Sequence, residues 1–148
     1  MKEQNEISTV YMLDALDEAR TAAAAGEVPV GACVVCGGEI ISRAHNLVET
    51  RSDASAHAEL LALSAAAKKL GTRRLNDCIL YVTLEPCAMC MGAIMNFRIA
   101  AVVFGAFDPE AGCCVSRCEL SCDEYQYSVR WGHSRRRVPK FTDSFFQE

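Results

Sequence analysis

The chain has 148 residues, of which 51% are hydrophobic and 23% charged, the scale and balance of one globular domain spanning 1–148 with its own core. It contains no run approaching the roughly twenty apolar residues of a membrane span, and the stretch after Met1 has no apolar secretory segment, which predicts a cytoplasmic protein with no membrane partner. A formal charge of -4 argues against a surface that grips nucleic acid all round, since phosphate contacts draw on Lys and Arg.

The first predicted element is an amphipathic helix from Ser8 to Ala25, with Tyr11, Met12, Ala15, Leu16 and Ala19 on its apolar side, Ser8 or Thr9 as its cap and Gly26 as its stop. Two strands follow, Val28 to Val35 and Glu39 to Ala44, joined by Gly37 and Gly38 in a hairpin turn with positive φ. A polar loop through Glu49 to Asp53 leads into an Ala/Leu-rich helix from about Ser55 to Leu70, closed by Gly71, whose first turn contains His57 and Glu59. Cys78 to Thr83 reads as a strand, Ala88 to Phe97 as a short helix, and Ala100 to Phe104 as a strand with a Gly stop. This alternation predicts an α/β layered fold. After Asp108-Pro109 the pattern weakens, and Pro139 interrupts a candidate last helix that ends in Phe145 and Phe146.

Nine cysteines with an odd count and an ample core favour reduced thiols over a disulfide framework. Cys33, Cys36 and Cys78 fall in or at the ends of strands and read as small buried hydrophobes. The spacing of Cys113, Cys114, Cys118 and Cys122 admits a second metal site, although the plainer structural reading is preferred. Arg130, Arg135, Arg136, Arg137 and Lys140 form either a local basic patch or a solvated segment.

The sharpest signal is His57-Ala58-Glu59 followed by Pro86-Cys87-Ala88-Met89-Cys90. Imidazole and thiolate ligands suit Zn²⁺, and three of them, His57, Cys87 and Cys90, leave a fourth position for water, as catalytic zinc requires. Cys87 and Cys90 in a first helical turn share one face and feel its positive end, which favours thiolates, and Pro86 suits that helix start. Glu59, roughly 200° around a helix from His57, is placed to move protons to and from that water rather than to ligate. The pattern is the signature of zinc nucleobase deaminases. A redox Cys-x-x-Cys pair, or half of a closed four-ligand zinc site, is the competing reading, and the second of these leaves Glu59 without a role.

Glu27 to Ala32, Asn46, Asp53 to Glu59, Leu80 to Cys90 and Arg98 to Asp108 together resemble the bacterial tRNA-specific adenosine deaminases of the cytidine deaminase-like superfamily, over residues 11–112. The resemblance implies a three-layer α/β/α fold on a central five-stranded mixed sheet, one Zn²⁺ per subunit and a homodimer. Its activity would be conversion of adenosine to inosine at the wobble position of a tRNA anticodon loop, with the base flipped into a pocket. Glu59 would be the catalytic acid and base, Asn46 would bond the base, Val30 would line its pocket, the Ala58 N–H would face the ring and the Pro86 carbonyl would accept from the departing amine. Asp108 would approach a neighbouring sugar and Phe145 would shape the RNA surface. The same residues have plainer readings: Asn46 as a polar strand end, Asp108 as a turn former, Phe145 as a helix anchor. After Gly112 the chain departs from the family pattern of small residues and two helices, which leaves open a deaminase of a free base or nucleoside, of guanine or cytosine type. A third possibility is a zinc-stabilised RNA-binding module without turnover.

Overall fold

The computed structural model describes residues 9–118 and the backbone of residues 128–131. Ser8, Cys122, Arg135 to Arg137, Lys140 and Phe145 lie outside the described residues, and Arg130 is described in backbone only.

Helix α1 (Thr9–Ala24) buries Met12, Ala15, Ala19 and Ala22, a spacing of three and four that keeps one face on the sheet. Strands β1 (Gly31–Cys36) and β2 (Glu39–His45) form an antiparallel hairpin whose turn glycines both have positive φ, 59° at Gly37 and 82° at Gly38, as the twist-matched two-residue turn needs. Strand β1 begins three residues later than expected at Val28. Pro29 has no N–H to give, and the Val30 N–H turns back onto the Val28 carbonyl at 2.8 Å, so this segment cannot join the ladder.

A short helix α2 (Val48–Arg51) precedes α3 (Ala58–Leu70). Helix α3 also starts later than expected, because Asp53 Oδ1 accepts both the N–H and the hydroxyl of Ser55 and holds a turn there. Strand β3 (Cys78–Leu84), helix α4 (Ala88–Asn96) and strand β4 (Ala101–Ala106) form a parallel crossover unit, and β5 (Ser128–Trp131) pairs parallel with β4. Gly105 lies inside β4 rather than ending it.

The sheet order is β2-β1-β3-β4-β5, with β1 antiparallel to both neighbours, so the fold is α/β on a mixed sheet as expected. Alternation along the strands divides the core. Ala32, Val34, Leu80, Val82, Val102 and Phe104 meet α3 and α4 on one face, while Cys33, Val35, Tyr81 and Val103 cluster with Met12 and Ala15 of α1 on the other. Cys33 and Cys78 are buried as expected, and burial pushes each thiol up to about 12.

Expected reduced, Cys113 and Cys118 are joined in a disulfide. The turn in which Arg117 and Cys118 N–H groups both point to the Gly112 carbonyl brings the two Cα atoms to 4.5 Å, a contact that cysteine counting does not reveal.

Backbone contact between α1 and β1 requires Gly31. A Cβ there would lie 2.8 Å from Glu18 Cβ and closer still to Ala15 O and Ala19 N. Gly31→Ala is therefore expected to destabilise the fold by about 1–3 kcal/mol, read as a lower urea midpoint at unchanged slope. Glu27, buried, accepts the N–H groups of Glu49 and Thr50 and the Thr50 hydroxyl, and these bonds, that from the Thr50 hydroxyl foremost, hold its carboxyl below the ordinary range. A depressed folded-state value means that its stabilisation is present above the unfolded pKa of about 4.3 and fades as pH falls through the folded value. The stability gap between wild type and Glu27→Gln should accordingly narrow below about pH 4 in thermal melts, and a gap constant from pH 3 to 7 would contradict this.

Candidate metal centre

His57 and Cys87 occupy the N-cap positions of α3 and α4, each with extended backbone (φ -76° at both) and neither with a side-chain capping hydrogen bond. Their carbonyls accept the first helical bonds, from Leu61 and Met91, while their side chains are left to face each other. Cys90, one turn into α4 and buried, completes the group. The His57 Nδ1 lies 3.7 Å from Cys87 Sγ and 3.6 Å from Cys90 Sγ, and all three ligand atoms fall within 4.8 Å of one another.

A tetrahedral zinc with its usual bond lengths to nitrogen and sulfur separates two such ligands by about 3.6 Å. The three residues present therefore fit one Zn²⁺ per subunit, and among the described residues they are the only such cluster. The helix geometry differs in detail from the sequence expectation. His57 stands before the first turn of α3 rather than inside it, so the angular argument separating it from Glu59 does not apply. Pro86 precedes the cap of α4 rather than opening its first turn.

Glu59, in the first turn of α3 and buried, hydrogen-bonds the Cys90 thiol, and burial raises its carboxyl above the ordinary range. The neighbouring Cys90 thiol brings Cys87 down to about 5, and Cys87 in turn holds Cys90 above the usual thiol value. Both cysteines also sit at the positive end of α4, and His57 at that of α3, so the electrostatics favour an anionic ligand set around a cation.

Around this centre the expected substrate contacts are placed as follows. Asn46, buried at the end of β2, accepts the Ala58 N–H through Oδ1 at 2.8 Å. The Ala58 N–H is thus engaged with Asn46 rather than facing an open ring site, and this bond replaces the missing side-chain cap of α3. Val30 is buried in the core beside Ala58, and its carbonyl accepts the Asn46 N–H. The Pro86 carbonyl accepts the Cys113 N–H at 2.8 Å, which leaves one of its two lone pairs. Asp108 caps a turn, its Oδ1 accepting the N–H groups of Glu110 and Ala111. Cys113 and Cys118 bond to each other, and Cys114 donates to the Met91 sulfur, so they do not assemble a second metal site.

Two residues were missed. Glu27 and Glu85 are buried carboxylates that hold the segments flanking the centre, at 49–50 and 108–116. Both lie in segments that carry the family resemblance, Glu27 to Ala32 and Leu80 to Cys90, but neither composition nor spacing marks them as buried anchors.

Residues 5–106 match the family described as the cytidine and deoxycytidylate deaminase zinc-binding region. The chain is 47% identical over 142 residues to the tRNA-specific adenosine deaminase of Bacillus subtilis, covering 94% of this chain and 88% of that one. It is 54% identical over 123 residues to the protein of the same name from Aquifex aeolicus, covering 82% and 81%. Among solved structures, one from work on A-to-I editing by tRNA:A34 deaminases at the wobble position superposes with a TM-score of 0.80 at 39% identity, covering 84% of this chain and 98% of that chain. A guanine deaminase from Bacillus subtilis superposes with a TM-score of 0.65 at 41% identity, covering 68% and 66%. With its His57, Cys87 and Cys90 cluster fitting one zinc and its matched segment spanning both halves of that cluster, the chain belongs to the cytidine and deoxycytidylate deaminase family.

Proposed function

We propose that this chain is a zinc-dependent hydrolase that converts adenosine to inosine at the wobble position of tRNA. The observation that carries the substrate is 47% identity across 94% of the chain with a tRNA-specific adenosine deaminase. His57, Cys87 and Cys90 hold the metal, and zinc bound there supplies activation of the water. The net reaction places the oxygen of that water on C6, in place of the exocyclic amine, and releases ammonia. Glu59 takes the water's proton and delivers protons to the ring nitrogen and to the leaving amine; it lies buried in the first turn of α3, one residue beyond the Ala58 that follows His57. Asn46, tied to the start of α3, orients the base, and Val30, Ala58 and the Pro86 carbonyl surround it. Asp108 and Phe145 belong to the RNA-facing rim in this reading.

The chain acts as a single cytidine deaminase-like domain over 1–148 on a five-stranded sheet, as a cytoplasmic homodimer bound to the anticodon loop. Family resemblance supports the homodimer. No helix among the described residues is long and apolar enough to cross a membrane. A second reading, deamination of a free base, is favoured by the likeness to the guanine deaminase structure.

Zinc analysis separates the role of Glu59 from those of His57 and Cys87. Glu59→Ala should keep one zinc per chain with native circular dichroism and lose about a hundredfold or more in turnover, whereas Cys87→Ala and His57→Ala should lose metal and activity together. Zinc retained in the Cys87→Ala protein would remove it from the ligand set. Incubating the zinc-loaded chain with an anticodon stem-loop and analysing nucleosides by mass spectrometry should show inosine at the wobble position; ammonia from guanine with the RNA untouched would replace this reading with the second.

A further inference from the structure

At the end of β3, Glu85 is a carboxylate 2% exposed to solvent beside the metal centre, and no step of the reaction proposed above uses it. Its Oε2 accepts the N–H groups of Cys114 at 3.2 Å, Val115 at 3.0 Å and Ser116 at 2.9 Å. Its Oε1 accepts the Asp108 N–H at 3.2 Å and the Ser116 hydroxyl. A carboxyl group buried to this degree is tolerated only when its oxygens find hydrogen-bond partners, and here both are filled by one segment.

That segment then touches the reaction site. Between the two ends gripped by Glu85, the Cys113 N–H donates to the Pro86 carbonyl and Gly112 makes an antiparallel bridge with Cys87. Asp108, held at its own N–H by Glu85, turns its carboxylate into the loop. The packing leaves no slack: a Cβ on Gly112 would fall 2.6 Å from the Asp108 carbonyl and closer to the Glu85 carboxyl.

We infer that Glu85 is a positioning residue, holding residues 108–116 as one wall of the site so that the Pro86 carbonyl and Asp108 meet the substrate in fixed places; the inference rests on the function proposed above. Glu85→Gln replaces one acceptor oxygen by an amide that points hydrogens at N–H donors. Gly112→Ala attacks the same contact from the other side, through space alone.

The test compares the zinc-loaded full-length variants on the anticodon stem-loop, with Leu75→Ala as a control. Leu75 is buried just before the other end of β3, so this variant lowers stability while leaving every hydrogen bond to Glu85 in place. Both Glu85→Gln and Gly112→Ala should raise KM about tenfold while kcat moves much less and zinc content stays at one per chain, and Leu75→Ala should leave KM unchanged. A KM in both wall variants no higher than in Leu75→Ala overturns the inference. Amide hydrogen exchange reads the wall without substrate: protection at 114–116 should fall about tenfold in Glu85→Gln and not in Leu75→Ala. If the wild-type chain leaves the RNA unchanged, the proposed function fails on its own, and the exchange result alone then decides whether Glu85 holds the wall. Exchange that changes while KM does not would make Glu85 a scaffold residue and also overturn the positioning role.

Discussion

Two helices, α3 and α4, begin at residues whose side chains make no capping hydrogen bond and instead face each other, and the rest of the site depends on this. A Ser, Asp or Asn at either cap position would typically stabilise its helix by about 1 kcal/mol. His57 and Cys87 forgo that, and the deficit is made good by different means at the two ends. At α3 the Asn46 side chain reaches across from the end of β2 to accept the Ala58 N–H. At α4 the positive end is answered by the thiolates themselves, which a metal ion stabilises. Local helix stability gives way to the ligand set at both positions, a pattern expected where function rather than folding fixes the residue.

The parallel crossover β3–α4–β4 explains why the ligands can come from distant points in the chain and still meet. His57 and Cys87 are thirty residues apart, yet α3 and α4 pack on the same sheet face through Ala58, Ala62, Leu63, Met91 and Ile94. Small alanines on α3 allow that helix to lie close, so its first residue falls beside the first residue of α4. The glycine at position 31 does the same for α1 on the opposite face, and the sheet is thereby clamped from both sides at the strands that carry the site.

Much of this was legible in the sequence, for reasons that differ by element. The strands announced themselves by β-branched runs, the hairpin by its paired glycines, and the metal ligands by chemistry and spacing that few other arrangements share. What the sequence hides is local. Ser55 and Ala56 are acceptable helix residues, and only the Asp53 side chain bonding Ser55 excludes them from α3. Val28 and Val30 have strand propensity, and only the direction of the Val30 N–H excludes them from β1. Contacts made across long separations left no pattern at all: Glu85 meets Ser116 at a distance of thirty-one residues, and the Cys113–Cys118 bond needs a turn that composition does not encode.

The same distinction separates the ligand cluster from the wall beside it. The metal ligands and Glu59 sit on helix starts braced by the core, where a change of sequence elsewhere scarcely moves them. The wall at 108–116 is built otherwise, from backbone N–H groups that converge on one carboxylate and from a glycine with no room for a Cβ. Backbone donors carry no side-chain identity, so the bonds that hold the wall to Glu85 do not depend on which side chain stands at Val115. The wall thus keeps its place against the metal centre through main-chain bonds, and the exposed side chains of Pro109 and Glu110 are free to vary without disturbing them.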